Sequence, residues 1–500
     1  MDMISHRWDS WGDARWVPPA NEAMRGAAWR RRGRAQSKHS LRIMLICLGI
    51  LHVPLMTAFN GGSPTPRRVR LTQSKVSSHL GPLSHFPNPF PNHTMDKLKI
   101  LVLNAGSSSL KYKLFSESRA TLTPLISGMV ELGKEKAVKH ATHTATDTIK
   151  ASLPPVLLKD HKTALSYVID LLTDPTHGGL KSKSEIGGIG HRVVHGGEAF
   201  SAETIISNEV IQALEDNIDL APLHNPANIL GIQVAQELFD CKHVAVFDTA
   251  FHATIPPAAY LYGLPYSLYE KYGVRRYGFH GTSHKYVAQQ AAKHLGKPFD
   301  ACNFVTLHLG NGASMSAIRN GKCIDTSMGF TPLEGLVMGS RSGDIDAAIL
   351  PFLHTHANMS LPEMDMMLNK KSGLLGLCGD ADVRTIQTRM LEGDKQADLA
   401  LDVFSHRVRK YLGAYVLQLY PKVDGIIFTA GIGEQSSILR QRICANLGHV
   451  GIELDDAKNE AAKGADIATI ESASSAIPIF VVPTDEELSI AQATKRLLHD

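Results

Sequence analysis

From Leu98 onward the chain alternates short apolar runs with turns of small residues. Residues 98–103 read as an apolar strand, followed by Asn104-Ala-Gly-Ser-Ser-Ser109 and then Leu110, Tyr112 and Leu114 alternating with Lys111 and Lys113. This predicts strand, tight turn, strand, with the lysines on the face opposite the apolar side chains. The layout recurs at 304–309, turn 310–314 and strand 315–319, closed by the Asn320-Gly321 pair that favours a two-residue hairpin. A third apolar strand, 425–429, runs into the glycine turn 430–434, with a helix start expected at Ser436. Two further strands end in charge: 244–247 before Asp248-Thr249, and 479–482 before Pro483-Thr-Asp-Glu-Glu487. Ala400, Phe404, Val408, Leu412, Tyr415 and Leu419 fall at helical spacing, which predicts a core helix over 397–419 without chemistry of its own.

The first 95 residues follow a different pattern. Arg30, Arg31, Arg32 and Arg34 precede an uncharged, mostly apolar run over 43–59, at the lower limit for crossing a bilayer and placed late for a signal peptide. Residues 61–91 are rich in Ser, Pro, Gly and His, have no period that buries a face, and are expected to be unstructured. A membrane anchor, a targeting leader and a stretch upstream of the real start are the alternatives. The last is favoured because Met95 stands directly before the first clean strand, and membrane contact is expected only if this extension is real and inserted. Charge divides at the same place. The chain holds 52 Lys+Arg against 48 Asp+Glu, but residues 1–95 carry net +9, leaving −5 for the remainder, so the body is not expected to bind nucleic acid. At 43% apolar and 20% charged residues, the composition excludes a wholly disordered or fibrous chain. Six well-spaced cysteines give no zinc spacing and are expected to be reduced thiols of a cytoplasmic protein.

One glycine–serine turn is an ordinary hairpin. Three apolar strands ending in such turns are better explained by a nucleotide cleft lined by loops of two similar halves, whose amides and hydroxyls cradle phosphate. No Walker loop competes, because the Gly-Lys pairs at 133, 296 and 321 are followed by Glu, Pro and Cys, and no G-x-G-x-x-G opens a βαβ unit. Carboxylates at strand ends are ligands that Mg²⁺ accepts. Thr484-x-x-Glu487 also reads as a capping box, which leaves Glu486 as the better metal candidate. Arg192 and Arg341 are framed by residues too small to cover them, so an anion should reach each guanidinium directly, and His280 has a similar glycine setting.

Asn104-Ala-Gly-Ser-Ser-Ser-Leu-Lys111, Gly190-His-Arg-Val-Val-His-Gly-Gly-Glu198, Pro222-Leu-His-Asn-Pro226, Phe247-Asp-Thr-Ala-Phe-His252 and Tyr277-Gly-Phe-His-Gly-Thr-Ser-His284 together resemble the acetokinase (acetate kinase) family. His308-Leu-Gly-Asn-Gly312, Thr331-Pro-Leu-Glu-Gly-Leu336, Gly339-Ser-Arg-Ser-Gly-Asp344 and Thr429-Ala-Gly-Ile-Gly-Glu434 continue the match from about Met95 to the C-terminus. The resemblance implies an α/β, duplicated actin-like (ribonuclease H-like) kinase with two domains around a central ATP cleft, plus a disordered N-terminal extension. The expected domains are 96–248, joined by a C-terminal helix 485–500, and 249–484. It implies reversible transfer of the ATP γ-phosphoryl to acetate, giving acetyl phosphate and ADP, with Mg²⁺ or Mn²⁺, by a cytoplasmic homodimer. By motif position Asp248, His280 and Arg341 take the catalytic roles, Arg192 the substrate carboxylate, and Asn104 and Glu486 the metal. Val194, Leu223, Phe279 and Pro332 fall on the acetate-methyl pocket. Lys111, His308, Leu309, Gly310, Asn311, Gly312, Asp382, Val383, Arg384, Gly431, Ile432, Gly433, Glu434 and Gln435 fall on ATP-contacting segments. Gln435 stands where the family usually has Asn, and the segment at Val383 varies, so the resemblance is weaker on the adenine side. A propionate or butyrate kinase, or a non-catalytic actin-like nucleotide-binding scaffold, are the alternatives.

Overall fold

The computed structural model describes residues 98–499 apart from 119, 120, 134, 145, 146 and 223. The expectations for the first 95 residues, and for Leu223, lie outside the described residues.

Two sheets carry the molecule. The first contains β1 (Lys99–Ala105), β2 (Ser109–Ser118), β3 (Thr121–Glu131), β4 (Lys136–His143), β5 (Thr148–Val156), β6 (Ile186–Val193), β7 (Thr204–Ile205) and β8 (Lys242–Phe247), in the order β5-β4-β3-β2-β1-β6-β8-β7. The second contains β9 (Phe304–Leu309), β10 (Ala313–Arg319), β11 (Lys322–Thr326), β12 (Gly425–Thr429), β13 (Ala468–Thr469) and β14 (Ile479–Val481), in the order β11-β10-β9-β12-β14-β13. Their central strands follow one plan. An antiparallel meander (β3-β2-β1, or β11-β10-β9) is extended by two parallel strands (β6 and β8, or β12 and β14), and a short antiparallel edge strand closes each (β7 or β13). The two similar halves expected from the repeated turns are therefore present as one topology used twice.

Alternation places the layers. Along β1, Leu101 and Leu103 join a core with helices His161–Thr173 and Asn225–Leu238, while Ile100 and Val102 face the last helix, Glu486–His499. Along β9, Val305, Leu307 and Leu309 pack with the long helix Lys395–Leu419, while Phe304 packs with the helix Gly281–His294 on the other face. Buried residues of Lys395–Leu419 include all six at the helical spacing noted above. The Asn320-Gly321 hairpin forms with φ of 50° and 71°, as a two-residue turn of this kind requires.

Two local expectations are corrected. The segment 430–434 is not an open turn but the short helix Ala430–Gln435, which opens on Ala430 at φ 63° and is pinned by the Glu434 carboxylate accepting from the Ala430 amide. Ser436 does cap the next helix, Ser437–Cys444. The last helix is not capped through Thr484 and Glu487. Asp485 accepts from the Leu488 amide at 2.8 Å, because the helix begins one residue later than that pattern assumes. Among the described residues no helix is long and apolar enough to cross a membrane, and Cys241, Cys302, Cys323, Cys378 and Cys444 are free.

Candidate active site

Both sheets send the C-terminal ends of their parallel strands, and the turns after them, into one cleft. A space of about 430 Å³ is lined by Asn104 from the end of β1, Lys111 from β2, Arg192 from β6, and His280 from the start of helix Gly281–His294. His308, Gly310, Asn311 and Gly312 line it from the β9–β10 turn, with Gly431, Glu434 and Glu486 closing the side. Through Gly310, Asn311 and Gly431 it adjoins a second space of about 580 Å³, lined also by Asp382, Val383, Arg384, Ile432 and Gln435. Asn104 and Lys111 are register partners across β1 and β2, which is why both reach the cleft. The three serines of that turn are not in its lining, contrary to the expectation that their hydroxyls would converge on a phosphate.

Arg192 and Asp248 stand at the ends of the adjacent parallel strands β6 and β8. Arg192 Nε donates to Asp248 Oδ1 at 3.2 Å and Nη2 to Oδ2 at 2.5 Å, while Nη1 lies 3.4 Å from Asn104 Oδ1 and Nε 3.9 Å from Glu486 Oε2. The open fork expected from the glycine framing is thus corrected: Asp248 already grips one edge of it, leaving Nη1 toward the cleft. Burial raises the Asp248 carboxyl above its usual range against the pull of Arg192, and burial does the same to Glu486. Burial opposes the charge of Arg192, but Asp248 and Glu486 outweigh it and hold the guanidinium ionised. Two carboxylates and an amide oxygen around one guanidinium leave a negative excess in a poorly solvated place, and these are the hard oxygen donors that Mg²⁺ takes. Among the described residues no three His, Cys, Asp or Glu side chains group to hold an ion alone. The donors fit an ion that draws its remaining ligands from phosphate and water.

Arg341 is different. Among the described residues its guanidinium makes one hydrogen bond, a long one to the Pro332 carbonyl at 3.5 Å, and pairs with no carboxylate. A Cβ built on Gly312 would lie 3.5 Å from Arg341 Nη1 and 3.7 Å from His280 Nε2, so both converge on this glycine. His280 sits at φ 57° as the residue before its helix, a left-handed conformation that is costly for a side-chain-bearing residue and is over-determined here by the Gly281 amide donating to the Asp248 carbonyl. Its ring stacks on His308 at 4.1 Å. Burial, then the neighbouring histidines, hold His280 well below the ordinary imidazole range, and burial takes His308 to about 4. Both rings are neutral in this cleft. Val194 and Phe279 are buried in one apolar cluster beside the site, and Pro332 is half-buried against Arg341.

The acetokinase family model matches residues 99–492. The chain belongs to the acetokinase family. An acetate kinase of Desulfitobacterium hafniense is 51% identical over 405 residues, covering 79% of this chain and 98% of the relative. Among solved structures, an acetate kinase of Porphyromonas gingivalis is similar with TM-score 0.74 and 41% identity, covering 80% of this chain and 100% of that one. A propionate kinase of Francisella tularensis matches with TM-score 0.72 and 42% identity, covering 80% and 99%. The actin-like kinase fold expected from the motifs is thus the fold of this acetokinase, a phosphotransferase with a carboxyl group as acceptor.

In this acetokinase the expected residues converge with few exceptions. The side chain of Leu309 belongs to the core, so only its backbone borders the cleft, and Gly433 is buried behind it. Asp382 and Arg384 pair with each other at 2.5 Å at the start of helix Val383–Leu391, and Val383 points into the core. Glu434, in the cleft lining, accepts from the Ala430 and Thr484 amides through Oε1. Several supporting residues were not foreseen. Asn228 accepts from the Val194 amide at 3.0 Å and donates to the Ala105 carbonyl at 2.7 Å, tying the end of β6 to the end of β1. Arg440, fully buried, donates to the carbonyls of Gly433, Glu434, Asn459 and Ala462 and holds helix Ala430–Gln435 in place. Neither carries a local sequence signal. His284, four residues after His280, does carry one: that spacing puts two histidines on one helix face.

Proposed function

We propose that this chain is an acetate kinase that transfers the ATP γ-phosphoryl reversibly to acetate, giving acetyl phosphate and ADP. The observation that supports this most is the convergence of the unpaired Arg341 and the neutral His280 on Gly312, beside the Arg192–Asp248 pair. Phosphoryl transfer leaves little covalent work to protein, so donors around the three equatorial oxygens and in-line positioning carry the rate. Arg341 supplies a full positive charge with no internal counter-ion, and His280 a neutral N–H. Glycine at 310 and 312 keeps side chains out of the path of the phosphate. Arg192 Nη1 orients the acid, with Val194, Phe279 and Pro332 around its methyl. Acetate is anionic at neutral pH and needs no base, so Asp248 orders Arg192 and the local charge rather than removing a proton. Asn104, Glu486 and Asp248 would hold Mg²⁺ or Mn²⁺, which when bound neutralises charge on the phosphate oxygens. Lys111 and the 308–312 turn take the phosphates, and the larger space by Asp382, Arg384, Ile432 and Gln435 takes the nucleoside.

The two like-ordered sheets support domains 96–248, with the last helix, and 249–484. A homodimer and cytoplasmic residence complete this reading, supported by family membership. The propionate kinase relative keeps a longer acid as the second reading, because one methylene in an apolar pocket is worth only about 1–3 kcal/mol. Trapping of acyl phosphate as hydroxamate across acetate, propionate and butyrate tests both. Acetate is expected to give the highest kcat/KM; a maximum at a longer acid would transfer the assignment, and no hydroxamate with any acid would leave a nucleotide-binding scaffold.

A further inference from the structure

We propose that Thr306, His284 and Ser314 form a hydrogen-bonded relay that holds the ring proton of His280 on Nε2, where it faces the cleft and donates to the phosphoryl group in flight. The proposal deepens the functional reading above and rests on it for the identity of the acceptor.

Alternation along β9 and β10 turns Thr306, His308, Ser314 and Ser316 toward helix Gly281–His294, away from the apolar face that packs on Lys395–Leu419. His284 follows His280 by one helical turn, so it lies over the same strand face. Thr306, Ser314 and His284 are all fully buried. Contacts run in line: His280 Nδ1 to Ser314 Oγ at 2.8 Å, Ser314 Oγ to His284 Nε2 at 2.8 Å, and His284 Nδ1 to Thr306 Oγ1 at 2.7 Å.

Proton counting gives this line a direction. Burial holds His284, like His280, well below the ordinary imidazole range, so each ring carries one N–H, and each hydroxyl carries one O–H. In one arrangement Thr306 donates to His284 Nδ1, His284 Nε2–H donates to Ser314, and Ser314 donates to His280 Nδ1. His280 then keeps its proton on Nε2, toward Gly312 and Arg341. In the reverse arrangement His280 spends its proton on Ser314 and presents a bare lone pair to the cleft. The Thr306 hydroxyl must then donate elsewhere, and the acceptor it has is the Ser316 carbonyl at 3.5 Å, the outer limit for such a bond. A buried hydroxyl proton without a good acceptor is costly, so the first arrangement prevails. A bare nitrogen would repel phosphoryl oxygens, whereas N–H attracts them, so the direction of the relay decides whether His280 assists transfer. The neighbouring chain from His308 Nδ1 through Ser283 Oγ to Thr484 Oγ1 ends on two freely turning hydroxyls and imposes no such direction.

Ser314, His284 and Thr306 are positioning residues, and the proton itself can be seen. Neutron diffraction from deuterium-exchanged crystals of the full chain is expected to show deuterium on His280 Nε2 and none on Nδ1; deuterium on Nδ1 would overturn the proposal. In parallel, Thr306→Val, three hydrogen bonds from His280 Nε2's ring, is expected to lower kcat about tenfold with KM for acetate and ATP within about twofold. Thr306→Ser should restore kcat. An unchanged kcat in Thr306→Val also counts against the relay. If Thr306→Val does not fold, the neutron result decides alone. If the unaltered chain phosphorylates no short acid, the functional reading fails, while the position of the His280 proton still answers for the relay.

Discussion

Arg341 and Arg192 look alike in the sequence, each among glycines and small residues, yet they end in opposite electrostatic states. Arg192 is neutralised by Asp248 because β6 and β8 are parallel neighbours whose register sets Arg192 against Val246, two residues before Asp248. That partner is 56 positions away, and nothing local to either residue announces it. Arg341 keeps its charge free. Arg341→Ala is therefore expected to lower kcat about 10²–10³-fold, the scale for a lost transition-state donor, while KM for ATP moves by less than about threefold. Steady-state kinetics checks this, and equal losses in both parameters would mean that Arg341 serves ground-state binding instead. Asp248 was legible because it ends an apolar strand, and His280, Arg192 and Arg341 because glycines and other small residues frame them. Their hydrogen-bond partners were not, since those come from other strands.

Strands and turns were the most readable elements. The alternation around Lys111, the Asn320-Gly321 hairpin and the helix Lys395–Leu419 each follow from a period or a turn residue. What failed is equally physical. Ala430–Gln435 is too short and glycine-rich to show a period, and it is held by the Glu434 side chain rather than by intrinsic preference. At the last helix Thr484 and Asp485 compete for one cap, and Asp485 wins while also pairing with Lys113 at 2.6 Å. Asn228 shows how a helix can couple two strands: its amide satisfies one backbone group on each side of β1 and β6. Asn228→Ala leaves the Val194 amide and the Ala105 carbonyl unpaired. A loss of about 2–6 kcal/mol in a urea melt is expected, at about 1–3 kcal/mol per buried orphan, with KM for acetate raised. A stable variant with unaltered KM would show that water replaces the link.

Among the described residues one sheet plan is used twice, and the reactive groups sit where both copies end their inner strands. Asn104, Arg192 and Asp248 come from the first copy; His308, Gly310 and Gly312 come from the second. This duplication was visible beforehand only as three repeated strand–turn signals. The family match begins at residue 99, and the residues that line the cleft all follow it. A chain shortened to begin at Met95 is expected to keep kcat and both KM values within about twofold in side-by-side assays. A larger loss would assign the segment a part in folding or assembly.

The grip of Asp248 on Arg192 also has a bearing on selectivity before any turnover. A guanidinium that already carries its own chain's counter-ion is a poor resting place for chloride, bicarbonate or stray phosphate. With one edge of its fork held from within, Arg192 offers an arriving anion Nη1 alone, so charge by itself gains little there and the fit of a guest's methyl has to supply the rest.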